Sequence, residues 1–265
     1  MSQSVPIEIG RWRHGVLEHT TDEVAAESPM EIRLGGVPLA VLMRTPGLDP
    51  DLVLGFCLTE AILLRPSEAA SIDRIGEGED ARWEVRLADG VSVDPERYRR
   101  NAYTTSSCGV CGKASIDAVR IAAPPLPDEP FLSPEVVLSL PDRLAAAQPT
   151  FTATGGLHAA AAFNPAGELL AAAEDIGRHN AVDKLVGRLA RGSWPITNTA
   201  LVVSGRVSFE MVQKAAVAGI GVLCGVSAAS SLAVELAQEL GLTLVGFLRG
   251  DGFVVYARGD RVGAV

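Results

Sequence analysis

The sequence predicts an α/β fold in two regions, a smaller β-rich one first and a layered one after it. Three observations carry this. From residue 157 onward, short apolar runs alternate with segments of helical apolar spacing, the pattern of strands joined by crossover helices. The first half instead offers several strand-like runs around one helical one. Between the halves lies Ala122-Ala123-Pro124-Pro125-Leu126-Pro127-Asp128-Glu129-Pro130, whose clustered prolines forbid regular structure. The expected organisation is therefore a β-rich region over 1–123, a Pro-rich linker over 124–134 and a layered domain over 135–265.

Each element has its own local signal. Residues 30–34 and 37–43 flank Gly35-Gly36, a two-residue hairpin turn. Asp49-Pro50-Asp51 opens an apolar helix running to residue 64, with Asp49 as N-cap and proline in the first turn. Residues 71–75 and 82–87 are further strands. Beyond the seam, Ser133-Pro134 starts a helix over 133–147. Strands over 157–163 and 168–173 enclose the turn Asn164-Pro165-Ala166-Gly167. Val182, Leu185, Val186 and Leu189 fall at i, i+3, i+4 and i+7 and mark a helix. A strand over 200–203, a helix over 207–218, a strand over 220–226, a helix over 230–240 and a strand over 242–248 follow. The turn Arg249-Gly250-Asp251-Gly252 then leads into a last strand over 253–257.

Such alternation implies a mostly parallel sheet covered on both faces. The element order resembles that of the cytidine-deaminase three-layer sandwich, a mixed sheet between helical layers, a likeness of fold that carries no function by itself. Zinc deaminases hold their metal with H-x-E and P-C-x-x-C at two helix starts. Here those starts read Glu174-Asp175-Ile176-Gly177-Arg178-His179 and Ser204-Gly205-Arg206-Val207-Ser208, neither with a cysteine. No metal is expected.

Composition narrows the function classes. Lys plus Arg number 23 against 32 Asp plus Glu, a net charge of −9, which argues against a protein that coats nucleic acid by neutralising phosphates. Four cysteines in 265 residues do not make a disulfide scaffold. The first eight residues lack the basic and apolar regions of a signal peptide. Residues 215–234 carry no charge and are long enough on paper to cross a bilayer. Gly219, Gly221, Gly225, Ser227, Ser230 and Ser231 break that stretch into helix end, strand and helix start. A cytoplasmic protein without membrane or nucleic-acid partners is expected.

The sharpest chemical signal is Ser106-Ser107-Cys108-Gly109-Val110-Cys111-Gly112-Lys113. Two thiols at i and i+3 sit on a glycine-flanked loop entering a helix, beside Lys113 and downstream of Arg97, Arg99 and Arg100. A helix N-terminus and nearby cations lower a thiol pKa and raise the thiolate fraction. Structural zinc needs four ligands, and no second pair with metal spacing is present. A thioredoxin-like redox pair lacks its βαβ surroundings. A sulfur-handling thiol on a mobile loop fits better, against the bland alternative of an inert pair. Cys57 and Cys224 sit in apolar patterns and read as core thiols.

Polar clusters beside apolar elements complete the candidates. Thr154-Gly155-Gly156-Leu157-His158 leads into a strand, Arg178-His179 opens a helix, and Ser204-Gly205-Arg206 joins a strand end to a helix start. Phe247-Leu248-Arg249-Gly250-Asp251-Gly252 ends the last core strand. Arginines beside element ends favour a phosphate-bearing ligand, although no P-loop or dinucleotide fingerprint is present.

Taken together, S-S-C-G-V-C-G-K-A-S-I-D, T-G-G-L-H-A-A-A, E-D-I-G-R-H-N-A-V-D-K, V-S-G-R-V-S-F-E-M-V-Q-K-A and L-V-G-F-L-R-G-D resemble the formate dehydrogenase accessory protein family, FdhD. The resemblance runs from about residue 30 to residue 257. It implies a cytoplasmic, homodimeric sulfur carrier with a deaminase-like fold. Such a carrier takes sulfur as a persulfide from a cysteine desulfurase. It passes that sulfur to the molybdenum cofactor in its bis(molybdopterin guanine dinucleotide) form before insertion into formate dehydrogenase. The persulfide-bearing cysteine falls on Cys108, with Cys111 assisting release. The cofactor-binding segment falls on Phe247, Leu248, Arg249, Gly250, Asp251 and Gly252, with Arg206 and His179 opposite it. Many relatives carry G-D-R where this chain ends its motif with Gly252, one cation fewer. A non-catalytic cofactor-binding chaperone for formate dehydrogenase is the alternative from another class.

Overall fold

A computed structural model describes residues 2–76, 81–95, 98, 123, 126 and 132–263. The chain opens with a two-stranded antiparallel hairpin, β1 (Ser4–Arg13) and β2 (Val16–Ala25), turning at His14 and Gly15. Most of its side chains are exposed, including Trp12 and Leu17. It therefore lacks the in–out apolar alternation by which a strand is read from sequence.

A four-stranded sheet follows in the order β4-β3-β6-β5. Its members are β3 (Ser28–Leu34), β4 (Val37–Arg44), β5 (Ala69–Ile75) and β6 (Ala81–Leu87). Gly35 and Gly36 turn β3 into β4 with φ of 56° and 82°, the positive values a tight hairpin needs at both central positions. Helix α1 (Asp49–Thr59) packs on this sheet, so that Leu52, Phe56 and Leu58 share a core with Met30, Ile32, Leu34 and Val85. Two expectations are corrected here. The N-cap is Leu48, in left-handed conformation, while Asp49 is the first helical residue and pairs with buried Arg44 at 2.9 Å. The helix also stops at Thr59 rather than at residue 64. Ala61 takes a φ of 52°, and the amides of Ile62 and Leu63 turn back to donate to the Cys57 carbonyl.

The second sheet has six strands in the order β12-β11-β10-β9-β7-β8. They are β7 (His158–Phe163), β8 (Leu169–Asp175), β9 (Ala200–Val203), β10 (Val222–Gly225), β11 (Thr243–Arg249) and β12 (Gly252–Ala257). Only the β9–β10 and β10–β11 pairs are parallel; the β7–β8, β7–β9 and β11–β12 pairs are antiparallel. The mostly parallel sheet expected from the alternation is thus a mixed one, because β7–β8 and β11–β12 are joined by short turns that cannot make a parallel crossover.

Helices cover both faces. Alongside α4 (Arg178–Ala190), α5 (Phe209–Val217) and α6 (Ser231–Leu240), Leu185, Met211 and Leu236 fill one side with Leu201 and Leu223. On the other side, Val137, Leu140 and Leu144 of α2 (Pro134–Ala146) meet Phe163, Val202, Cys224 and Val245. Ser133 caps α2 by accepting from the Val136 amide, as the Ser-Pro signal predicts. A short helix that the sequence did not announce, α3 (Pro149–Thr154), has its first amides, from Thr150 and Phe151, donating to the Glu174 carboxylate at 3.0 and 2.7 Å. The result is the three-layer sandwich, with the β-rich region docked through α1 against α4.

The uncharged stretch 215–234 divides as expected into the end of α5, β10 and the start of α6. Among the described residues, no helix is long and apolar enough to cross a membrane. Most of the Pro-rich seam lies outside the described residues; Ala123 and Leu126 pack against the sandwich core.

Candidate functional site

The ends of the sandwich elements converge on one edge of the six-stranded sheet. Parallel pairing places the C-terminal ends of β9, β10 and β11 side by side there, the usual ligand edge of an α/β sheet. Backbone hydrogen bonds lock the following loops together. The Ser204 amide donates to the Ala159 carbonyl, Val226 to Val203, and Phe247 to Ser227, each at 3.0 Å. The loops need glycine to approach so closely: a Cβ on Gly225 would lie 2.6 Å from Val207 Cγ2.

Antiparallel pairing brings His158, at the start of β7, opposite Asp175, at the end of β8. Gly205 closes the gap beside them. A Cβ there would stand 3.4 Å from His158 Nδ1 and 3.6 Å from Arg178 Cδ. His158, Arg178, His179 and Arg206 therefore form one cluster of basic side chains. His158 is held below its ordinary pKa, first by burial and then by Arg178, His179 and Arg206, against the opposing pull of Asp175. His179 Nε2 lies 3.7 Å from Glu210 Oε2 on α5, an oxygen that also accepts from Ser208 Oγ at 2.7 Å. Burial pushes the Glu210 carboxyl up, but His179, Ser208 and its own amide outweigh burial and hold it at about 2.

The 247–252 turn sits on the far side of the loop after β10 from this cluster. Phe247 is exposed with a φ of 50°, Leu248 beside it is fully buried, and the Arg249 guanidinium stacks 5.6 Å from the Phe247 ring centroid. Gly250 takes a φ of 61° and Arg249 pairs with Gly252 across the turn, with Asp251 exposed at its tip. His179 and Arg206 thus lie together, while Phe247, Leu248, Arg249, Gly250, Asp251 and Gly252 share their sheet edge across the intervening loop.

Beneath the cluster lies a buried network that the list of candidates missed. Asp175 is fully buried and 2.7 Å from Lys184 Nζ. It accepts from the amides of Thr45 and Gly177 at 3.1 and 2.8 Å, and from Asn180 Nδ2 at 2.9 Å. Lys184 also donates to the carbonyls of Thr45 and Glu174, and Asn180 to that of Met43. The start of α4 is thereby fixed from three sides. The available signal was a charged pair, Asp183-Lys184, inside an otherwise apolar helical pattern. Glu210, also missed, has no such signal, since an acidic residue in a first turn is ordinary.

Cys108 and Cys111 lie outside the described residues, as do Arg97, Arg99, Arg100 and Lys113. The other two thiols behave as the sequence implied. Cys57 on α1 and Cys224 on β10 are buried and pushed up to about 12, by burial in both cases and for Cys57 also by Asp183 and Glu60.

Fold and site define a deaminase-like α/β sandwich whose helix starts carry arginine, histidine and carboxylate side chains. More particularly, the chain belongs to the FdhD/NarQ family, whose model matches residues 25–263. It is 53% identical over 264 residues to the sulfur carrier protein FdhD of Streptomyces avermitilis, covering 95% of this chain and 93% of that one. To the sulfur carrier protein FdhD of Mycobacterium tuberculosis it is 46% identical over 253 residues, covering 91% and 92%. It is also similar to a crystal structure from Desulfotalea psychrophila, of a protein provisionally assigned as a formate dehydrogenase accessory protein. That likeness has a TM-score of 0.79 at 24% identity, covers 98% of this chain and 100% of that one, and speaks for the fold alone.

Proposed function

We propose that the protein is a sulfur carrier in which Cys108 bears the transferred sulfur as a persulfide. The observation that carries this reading is how the four cysteines divide. Cys57 and Cys224 are sealed in the core at about 12, far from the thiolate form that attacks sulfur. Cys108 and Cys111 instead lie in a glycine-flanked sequence beside Lys113, near three arginines. The relatives named as sulfur carriers support the same role.

In this mechanism the donor is a cysteine desulfurase carrying a persulfide. The Cys108 thiolate attacks the donor's terminal sulfur; a new S–S bond forms on Cys108, and the donor cysteine leaves as a thiolate. Cys111 then assists release to the acceptor. The acceptor is the molybdenum cofactor in its bis(molybdopterin guanine dinucleotide) form, on its way to formate dehydrogenase. The donor set fits such a group: Arg178, Arg206 and Arg249 supply cationic hydrogen-bond donors for its diphosphates along one sheet edge, with the His179 imidazole beside them. When bound, it supplies the sulfur-accepting centre. The protein residues hold the phosphates and keep the nucleotide arms in place. The protein works in the cytoplasm as a homodimer.

The test is mass spectrometry after incubation with a desulfurase and cysteine. An adduct of about 32 Da, one added sulfur, is expected on Cys108 and absent from Cys108→Ser. That variant should also fail to activate formate dehydrogenase. Full activation by Cys108→Ser would instead assign the protein a chaperone role with incidental cysteines.

A further inference from the structure

The segment Thr154-Gly155-Gly156-Leu157-His158 closes α3 and delivers His158 to the first position of β7. Two hydrogen bonds pin this strand start to the loop after β9. The Ala159 amide donates to Ser204 Oγ at 2.9 Å, and the Ser204 amide donates to the Ala159 carbonyl at 3.0 Å. Gly205 comes next, and the space its missing side chain leaves is shared by His158 and Arg178. A Cβ there would stand 3.5 Å from His158 Cε1 and 3.6 Å from Arg178 Cδ. Arg206 follows directly. An imidazole is thus built into the arginine cluster.

The carboxylate opposite it is fully engaged. Asp175 faces His158 in the β7–β8 ladder. Its Oδ1 accepts from the Gly177 amide and Asn180 Nδ2 at 2.8 and 2.9 Å. Its Oδ2 accepts from the Thr45 amide at 3.1 Å and meets Lys184 Nζ at 2.7 Å. A carboxylate has about four such acceptor positions, and all are filled. A proton on the His158 ring would therefore add positive charge beside two guanidinium groups with no free carboxylate to balance it. Burial first, then Arg178 and His179 on α4 and Arg206 before α5, oppose that proton; Asp175 on β8 favours it. An anion between the arginines reverses this balance. It cancels the charge that opposes the proton and accepts from the N–H that the proton creates. We propose that His158 is the proton-linked member of the ligand edge: neutral in the free protein, its ring takes a proton from solvent when a nucleoside diphosphate settles between Arg178 and Arg206, and binding strengthens as pH falls. The proton joins the lone pair of the acceptor nitrogen of the ring, and no other bond forms or breaks. A histidine kept for structure alone would titrate identically with and without ligand.

This role rests on the nucleotide-binding reading above. The experiment is calorimetric titration of the full chain with GDP at about pH 7.5 and about pH 6. GDP has a titrating terminal phosphate of its own, common to every variant, so the reading is the difference between wild type and variant. Wild type should gain about fivefold more affinity between the two pH values than His158→Gln. His179→Gln should gain as much as wild type. A second measurement needs no variant. NMR of the imidazole carbons follows the four histidines of the chain, with His158 assigned through correlation to its own backbone. Its titration midpoint should rise when GDP saturates the site. An unmoved midpoint, or equal gains in wild type and His158→Gln, overturns the proton link and leaves the nucleotide reading standing. Failure of wild type to bind GDP overturns the nucleotide reading and the role of His158 with it.

Discussion

Gly55 of α1 and Gly187 of α4 meet backbone to backbone where the two helices cross. A Cβ on Gly55 would stand 1.8 Å from the Asp183 carbonyl oxygen, and one on Gly187 would stand 1.9 Å from that of Asp51. No side chain could move aside to relieve either clash, because the atoms met are main chain. The crossing joins the β-rich region to the sandwich, and a single methyl group forces it apart.

Gly55→Ala and Gly187→Ala are each expected to destabilise the protein by about 3 kcal/mol or more, the upper end for overpacking a core. Urea denaturation followed by circular dichroism reads this directly. Midpoints matching wild type would show that the helices do not cross so closely.

Next to this crossing, Lys214 Nζ contacts both oxygens of Asp183 at 2.9 and 3.0 Å, with Thr59 Oγ1 at 2.9 Å and Glu60 Oε1 at 3.1 Å. Burial pushes the Asp183 carboxyl up against the pull of Lys214. Lys214→Met should cost about 3–5 kcal/mol, since it leaves a buried carboxylate without its partner. Adding Asp183→Leu should recover much of that loss. A double variant no more stable than the single one would contradict the pairing.

The lowered pKa of His158 gives a signed pH effect. The native state binds this proton less readily than the unfolded chain, so stability rises with pH through the titration and falls as pH drops below the ordinary histidine value of about 6.5. His158→Gln should therefore flatten the decline in melting temperature between about pH 7.5 and 5.5. The side chain is only half-buried, so the flattening is partial. An unchanged slope would place the titrating group elsewhere.

Arg249 stacks on Phe247 at the mouth of the ligand edge. If it donates to a phosphate of the nucleotide, Arg249→Ala should weaken GDP binding by about 1.5–3 kcal/mol, or about ten- to a hundredfold. Equal affinities by calorimetry would put the phosphate away from this turn.

Periodicity and punctuation made most of the sandwich legible. The strand over 200–203 matches β9 residue for residue, and Ser133 caps the helix it was expected to cap. What stayed hidden has physical causes. The β1–β2 hairpin buries too little to carry an in–out pattern, and α3 is a single short turn held by Glu174, whose role depends on a strand that follows it in sequence. The end of α1 was misplaced because apolar residues continue after the helix has stopped at Thr59, with Ile62 and Leu63 buried in the core. In the site, glycine-flanked arginines and histidines were readable as element ends. The contact of His179 with Glu210 was not, because it crosses between two helices that β9 separates in sequence.

The carbonyls of Met43 and Thr45, from the β-rich region, hold Asn180 and Lys184 at the foot of the ligand cluster. The sandwich is therefore not a portable cassette. Lifted out alone, it would keep every arginine and histidine of the ligand edge. It would still leave a lysine in its interior with one of its acceptors missing, and an asparagine with an unmet amide, at the turn that aims Arg178 and His179. Recombining halves between relatives should accordingly succeed only where the strand before α1 and the start of α4 travel together.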